Sequence, residues 1–158
     1  AYFGHMTIDY EGLPCPCGMR GCWELYASGA ALERRAAQAV ASALAGSTKL
    51  KPNPDARAVV EAAAEGDRLA QGLLEEHARY LAYGLVSLLN LFNPEVVVIG
   101  GGLAQAGEWL LKPTRAIVDR LRIPLRESVP IKVAELGAYS GVVGASLLAF
   151  ERLGSHGS

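Results

Sequence analysis

The sequence has little net charge, no long apolar run and no charged, apolar leader, and each absence excludes a class of protein. Its formal net charge is −1 over 158 residues, with 15 Lys and Arg residues spread along the chain. Nucleic acid is not an expected partner, because counterion-release binding needs a clustered basic stripe. No apolar stretch approaches the roughly 20 residues that cross a bilayer, so we expect no membrane contact and a cytoplasmic location.

The distribution of apolar residues predicts an α/β fold. They make up 51% of the chain, which is enough for one packed core. Leucines at helical spacing between Asp67 and Asn93 predict a long, central and largely buried helix. The β-branched run at residues 95–99 predicts an inner strand of a parallel sheet, and residues 131–136 predict a second strand. Helices that alternate with strands are typical of α/β proteins.

Capping residues and helix breakers define the remaining elements. Ser28 and Asp55 can each cap a helix. Residues 108–121 predict another helix that is interrupted near Pro113, and residues 139–153 predict a closing helix. The first nine residues alternate loosely and predict a short strand that enters a loop.

No linker divides the chain, so residues 1–153 are predicted to be one domain. Residues 154–158 have no periodicity and are interpreted as a disordered or vector-derived tail. Small residues at Gly141 and Gly144, together with the long apolar helix, are compatible with a homo-oligomer, although core packing explains them equally well. His77 on the long helix is interpreted as a partly buried histidine with a local partner.

Three cysteines fall within eight residues, an odd number that cannot all form intramolecular disulfides. With His5, the residues Cys15, Cys17 and Cys22 have the spacing H-x9-C-x-C-x4-C, which predicts a closed tetrahedral zinc site with no position for a catalytic water. The alternative is three buried or redox-active thiols beside a coincidental histidine, although C-x-C differs from the C-x-x-C redox motif. A zinc ribbon is disfavoured, because two C-x-x-C knuckles and a basic face are absent.

These four residues lie within longer motifs that resemble a known family. Gly4-His5, Cys15-Pro16-Cys17-Gly18, Gly21-Cys22-Trp23-Glu24 and Tyr26-Ala27-Ser28-Gly29 closely resemble the zinc-loop signature of the ROK family (repressors, open reading frames and kinases). Residues 91–102, with the sequence LFNPEVVVIGGG, are similar to the strand and glycine turn on the nucleotide side of that family. The resemblance covers nearly the whole chain.

The resemblance implies an actin-like ATPase (ribonuclease H-like) fold. This chain would be the larger C-terminal lobe, with the zinc-binding loop at residues 4–24. The implied function is that of an ATP-dependent hexose kinase, similar to bacterial glucokinases, that phosphorylates glucose at its 6-hydroxyl. The alternative within the family is the sugar-sensing effector domain of a ROK transcriptional repressor, and a third reading is a standalone sugar-binding or oligomerisation module.

The resemblance also implies roles for individual residues. The histidine matching His5 would ligate zinc and contact a sugar hydroxyl, and the glutamate matching Glu24 would accept hydrogen bonds from the sugar. An acidic residue at position 24 also suits the first turn of a helix, where the helix dipole favours it. Gly100, Gly101 and Gly102 would form the backbone platform for the adenosine of ATP, although three glycines also fit a tight strand-to-helix turn.

Two departures from the family pattern limit this assignment. Family kinases carry a glutamate three residues before the motif histidine, where this sequence has Tyr2. The family's catalytic aspartate and phosphate loops lie upstream of the motif histidine, so no catalytic residue is assigned to this chain. We expect the intact kinase to use ATP and Mg²⁺ with an N-terminal lobe missing here, and this chain alone not to phosphorylate a sugar.

Overall fold

The fold is taken from a computed structural model that describes residues 2–44, 46–101, 106–121, 123 and 128–135. The expected closing helix at residues 139–153, the tail and Gly102 lie outside the described residues. Within them the chain forms, in order, a 3₁₀ turn (Phe3–His5), α1 (Glu24–Ala27), α2 (Gly29–Ser42), α3 (Ala56–Ala64), α4 (Arg68–Phe92), β1 (Val97–Ile99), α5 (Gly107–Leu121) and β2 (Ile131–Val133). The α/β class is thereby confirmed.

Two helices begin at the predicted caps Ser28 and Asp55, and a third begins at Asp67, where the sequence predicts the start of the long helix. The side-chain oxygens of Ser28, Asp55 and Asp67 each accept a hydrogen bond from the backbone amide three residues later, at 3.2, 2.7 and 3.0 Å. Each bond satisfies an N–H group that has no partner within the helix. The starts of α2, α3 and α4 are therefore determined locally.

Helix α4 lies at the centre of the molecule, as its leucine pattern predicts. One side packs against α5 and β2, in a cluster that includes Leu81, Leu85 and Leu110. The other side packs against α2 and α3, in a cluster that includes Leu32 and Leu74. No described helix combines the length and the hydropathy that spanning a membrane requires.

Helix α4 ends at a left-handed residue. Asn93 has φ 44° and ψ 53°, and its amide donates to Leu89 O at 3.0 Å. Asparagine tolerates this conformation better than most side chains do, and the following Pro94 cannot continue a helix. The turn directs the chain into β1.

Strands β1 and β2 are parallel, and α5 is the crossover between them. Val97, Val98 and Ile99 lie opposite Ile131, Lys132 and Val133. The first strand is shorter than the predicted 95–99, because pairing begins only where Val97 N–H donates to Pro130 O at 2.9 Å. Val98 is 57% exposed, so the described residues leave one face of this strand pair partly open.

Two local predictions are wrong. The first residues form a 3₁₀ turn rather than a strand, and only an isolated bridge pairs Thr7 with Cys22. Helix α5 is not interrupted, since Pro113 lies inside it. A proline within a helix costs about 3 kcal/mol, but the helix retains the buried packing of Leu110, Leu111 and Val118.

Candidate functional site

The cysteine loop, residues 4–24, is folded by short backbone contacts around a hairpin. An antiparallel bridge between Pro14 and Arg20 closes the hairpin, inside which Cys15 N–H donates to Met19 O at 2.8 Å. Gly21 has φ 63°, and a Cβ there would overlap the backbone of Asp9. Glycine is therefore required where two segments of the loop cross.

Aromatic side chains attach the cysteine loop to the helices. The Tyr26 hydroxyl accepts a hydrogen bond from Leu13 N–H at 2.8 Å. The indole Nε1 of Trp23 donates to Tyr80 O on α4 at 2.8 Å. Gly84 makes room for that indole, because a Cβ at this position would overlap the ring. The C-terminal end of the cysteine loop therefore packs against the central helix α4.

The four predicted ligands meet in this loop. The ligand atoms of His5, Cys15, Cys17 and Cys22 all lie within 4.8 Å of one another. Cys15 Sγ lies 3.6 Å from His5 Nδ1, and Cys17 Sγ lies 3.5 Å from Cys22 Sγ. Tetrahedral ligands at zinc distances of about 2.0 to 2.3 Å would be roughly 3.5 to 3.8 Å apart. The donor set therefore fits one tetrahedral ion.

The electrostatics of the sulfurs favour a cation between them. Burial, together with the neighbouring sulfurs of Cys15 and Cys17, raises the pKa of Cys22 to about 12. By contrast, a hydrogen bond from the backbone of Met19 and one from Cys15 lower the pKa of the exposed Cys17. All three sulfurs could become thiolates at this spacing only beside a compensating positive charge, such as a divalent metal would supply.

The same fold places Glu24 against Gly4, the residue that precedes His5. It is the first residue of α1, its side chain is exposed, and its Oε2 occupies space that a Cβ on Gly4 would need. Trp23 N–H donates to Met6 O at 2.8 Å and holds the two segments together. Among the described residues the Glu24 carboxylate has no hydrogen bond or ion pair. It is available to a ligand next to His5.

The glycines expected on the nucleotide side follow β1. Gly100 lies at the end of the strand, where an added Cβ would come 3.8 Å from Ala134 Cβ. Gly101 has φ 71° and open space where its Cβ would be. This backbone is accessible to a ligand, whereas Gly102 lies outside the described residues.

One buried arginine–histidine pair lies behind the loop and was only partly foreseen. His77 is fully buried rather than partly buried, and its local partner is Arg35, whose Nη2 lies 2.7 Å from His77 Nδ1. Arg35 also donates to Tyr26 O at 2.9 Å. Burial and the nearby guanidinium lower the pKa of His77 to about 4. A histidine on the apolar face of a helix was the signal, but the arginine 42 residues away was not predicted.

Comparison with known proteins supports one family. The sequence profile of the ROK family matches residues 1–152. The glucokinase of Streptomyces coelicolor is 36% identical over an alignment of 160 positions, which covers 96% of this chain and 50% of that protein. The xylose repressor of Bacillus spizizenii is 32% identical over 149 residues, covering 94% of this chain and 36% of the repressor.

A solved structure gives the same result. The ROK family glucokinase from Streptomyces griseus, crystallised with glucose and AMPPNP, superimposes with a TM-score of 0.82 at 37% identity, covering 94% of this chain and 50% of that one. The chain spans about half the length of the glucokinases it matches. Its fold is that of an actin-like ATPase, as the zinc-loop resemblance implies, and the chain belongs to the ROK family.

Proposed function

We propose that this chain is the sugar- and adenosine-binding part of an ATP-dependent hexose kinase that phosphorylates glucose at its 6-hydroxyl. Residues 1–153 would form its larger lobe, working with an N-terminal lobe that supplies the catalytic base. The observation that carries the proposal is the position of the exposed Glu24 carboxylate against Gly4, the residue before the histidine of the proposed metal-binding loop. Similarity to glucokinases over nearly the whole chain supports it.

Within this proposal the sugar is bound by His5 and Glu24. The Nδ1 atom of His5 lies on the sulfur side, 3.6 Å from Cys15 Sγ, which leaves Nε2 for a sugar hydroxyl. A carboxylate can accept from two adjacent hydroxyls, and charge-assisted hydrogen bonds are stronger than neutral ones. The metal fixes the histidine, and helix α1 fixes the glutamate only two residues after the ligand Cys22.

The ion in the cysteine loop is proposed to be structural zinc. Three thiolates and one imidazole are a preferred zinc donor set, and four protein ligands leave no site for a reacting water. The ion would therefore hold the sugar-binding residues in place and take no part in phosphoryl transfer.

ATP would bind with its adenosine against Gly100, Gly101 and Gly102, and Mg²⁺ would accompany its phosphates. The positive φ of Gly101 and the open space beside it permit close approach of a nucleotide. No catalytic residue is assigned to this chain, so phosphoryl transfer requires groups from the other lobe. Homo-oligomerisation stays a prediction.

The test uses the full-length protein purified from its native cells, assayed for ATP-dependent phosphorylation of glucose. Replacing Glu24 by Gln removes the charge but keeps the shape, so glucose affinity should fall about tenfold or more. Zinc content should be unchanged. Glu75→Gln is the matched control, since Glu75 is an exposed glutamate on α4 outside the cysteine loop. Equal glucose affinity in the two variants would contradict the sugar role of Glu24.

The second candidate function is the effector domain of a ROK repressor, which the similarity to a xylose repressor favours. Such a protein would share the cysteine loop and the sugar site but would not turn over ATP. The intact mass and the N-terminal sequence of the native protein distinguish the two. A helix-turn-helix ahead of residue 1 identifies a repressor, and a phosphate loop there identifies a kinase.

A further inference from the structure

A cavity lies between the cysteine loop and helix α2, and its lining includes none of the four proposed metal ligands. It has a volume of about 410 Å³, within the range of small-molecule pockets. Residues 11–14 and Arg20 of the loop form one wall, and helical side chains form the other. The cavity-lining side chains from the helices are Tyr26, Arg34, Arg35, Gln38 and Tyr80.

The charge of this cavity is strongly asymmetric. Among the lining residues three are arginines, Arg20, Arg34 and Arg35, and one is acidic, Glu11. Two further carboxylates lie next to the lining, Asp9 beside Gly12 and Glu76 beside Arg35. Like charges converging on one cavity repel each other, and a bound anion offsets that repulsion. The chain as a whole has a net charge of −1, so the positive cavity does not follow from its overall composition.

The arginines of this cavity differ in how they are held. The Arg35 guanidinium is mostly buried and is fixed by Tyr26 O at 2.9 Å and by His77 Nδ1 at 2.7 Å. Glu76 lies 3.5 Å from its Nε. Arg20 is exposed, and its guanidinium has no hydrogen bond or ion pair within the described part of the chain. One cation is therefore preorganised, and another is free to close on a ligand.

A neutral donor lies in the same wall. The Tyr26 hydroxyl accepts the Leu13 amide proton at 2.8 Å, so its own O–H hydrogen points elsewhere and can be donated. Arginine forks combined with a hydroxyl donor match the oxygens of a phosphate group better than those of an uncharged sugar. The adjacent Tyr80 ring adds an apolar surface, over which the Arg35 guanidinium lies at 5.2 Å from the ring centroid.

We propose that this cavity binds a small phosphate-bearing anion, either inorganic phosphate or the phosphate group of a small monoester. The anion would join Arg20 on the cysteine loop to Arg34 on α2 and so tie the loop to the helix. The site is separate from the proposed sugar site, and it does not depend on kinase activity.

Calorimetric titration of the zinc-loaded, full-length protein tests the proposal. The titrants are inorganic phosphate and a hexose 6-phosphate, with the unphosphorylated hexose present throughout to fill any site for neutral sugar. Saturable binding of one anion per chain is expected. Tighter binding of the ester than of phosphate assigns the site to a monoester, and equal binding assigns it to the free anion. No saturable binding at millimolar concentration overturns the proposal.

Three variants localise the binding. Arg20→Gln should weaken it about tenfold, because a charge-assisted hydrogen bond is lost. Arg68→Gln removes the same charge from an exposed site at the far end of α4 and should leave the affinity unchanged. Glu11→Gln should tighten binding, a gain that misfolding cannot produce. Equal losses in the Arg20 and Arg68 variants, or no gain in the Glu11 variant, would refute the site.

Discussion

At the scale of single residues, the buried pair of His77 and Arg35 constrains the protonation of the core. Arg35 donates to His77 Nδ1, so the imidazole is held neutral against α2. Burial and the guanidinium charge lower the His77 pKa to about 4, from 6.5 for the exposed group. The unfolded chain therefore binds a proton at a higher pH than the folded chain does.

Because of this pKa difference, the free energy of unfolding falls as the pH is lowered. The stabilisation from neutral His77 is fully present above about pH 6.5 and is lost as the pH falls towards 4. Between pH 7 and about pH 5, His77 should contribute a loss of about 2 kcal/mol in unfolding free energy. Urea denaturation of the parent and of His77→Gln, at equal zinc occupancy, measures it. The unfolding free energy of the variant should change less with pH than that of the parent. Equal pH dependence in the two proteins would contradict a lowered pKa for His77.

Cys17 is the exposed cysteine of the proposed ligand set, so replacing it disturbs the core less than replacing Cys15 or Cys22. Serine does not ionise at neutral pH and is a poor zinc ligand. Cys17→Ser should lose the bound zinc and lower the stability by on the order of 3–5 kcal/mol. Elemental analysis and thermal melting measure both effects. Met19→Leu, an exposed change in the same hairpin, should keep the metal. Equal zinc content and equal melting temperature in Cys17→Ser and the parent would contradict the proposed metal site.

At the scale of elements, the N-cap residue of α4 accepts more hydrogen bonds than the N-cap residue of α3. Asp67 is 6% exposed and accepts hydrogen bonds from Ala70 N–H at 3.0 Å and Thr48 Oγ1 at 2.8 Å, as well as from the Lys49 amide. Burial alone would raise the Asp67 pKa, but these hydrogen bonds hold it below the usual value. Asp55 is exposed and caps only its own helix.

Removing the two caps should therefore have unequal effects. Asp67→Ala should lower the unfolding free energy by about 2–3 kcal/mol, because it leaves several buried donors unpaired. Asp55→Ala should cost only about 1 kcal/mol. Chemical denaturation of the two variants compares them directly. Similar losses would mean that the Asp67 contacts to residues 48 and 49 contribute nothing beyond the cap.

At the scale of the whole molecule, the cysteine loop and the helical core are held by different forces. The two apolar clusters lie on opposite sides of α4 and contain none of the four metal ligands. The loop is held by the backbone contacts around the hairpin, by Trp23 and Tyr26, and by the proposed ion. Local opening of the loop should therefore not unfold the core.

Metal removal tests this division. After chelation, hydrogen exchange should accelerate at the loop amides of Ile8, Cys15 and Gly21, which donate to other loop residues. The amides in the middle of α4 and α5 should keep their protection, because apolar packing holds those helices. Exchange measured by mass spectrometry, with and without zinc added back, provides the comparison. Equal acceleration in α5 would show that the metal holds the whole chain.

Much of this structure could be predicted from the sequence because its signals are local. Cap residues, the leucine period of α4 and the β-branched run before the glycines each depend on neighbours a few residues away. The ligand set was readable for a similar reason, since three of its members fall within eight residues. Pro113 misled the prediction for α5, because tertiary packing outweighed a local penalty.

The sequence by itself determined the family, the main helices and the grouping of His5 with the three cysteines. Only the tertiary structure decided which distant side chains meet: Arg35 with His77, Trp23 with Tyr80 O across 57 positions, and Arg20 with Arg34 around one cavity. In the sequence, Gly84 is only a residue that lowers helix propensity. The fold shows that its missing side chain leaves room for the indole of Trp23. Such contacts depend on how α4 packs against α1 and α2, which short-range spacing does not encode.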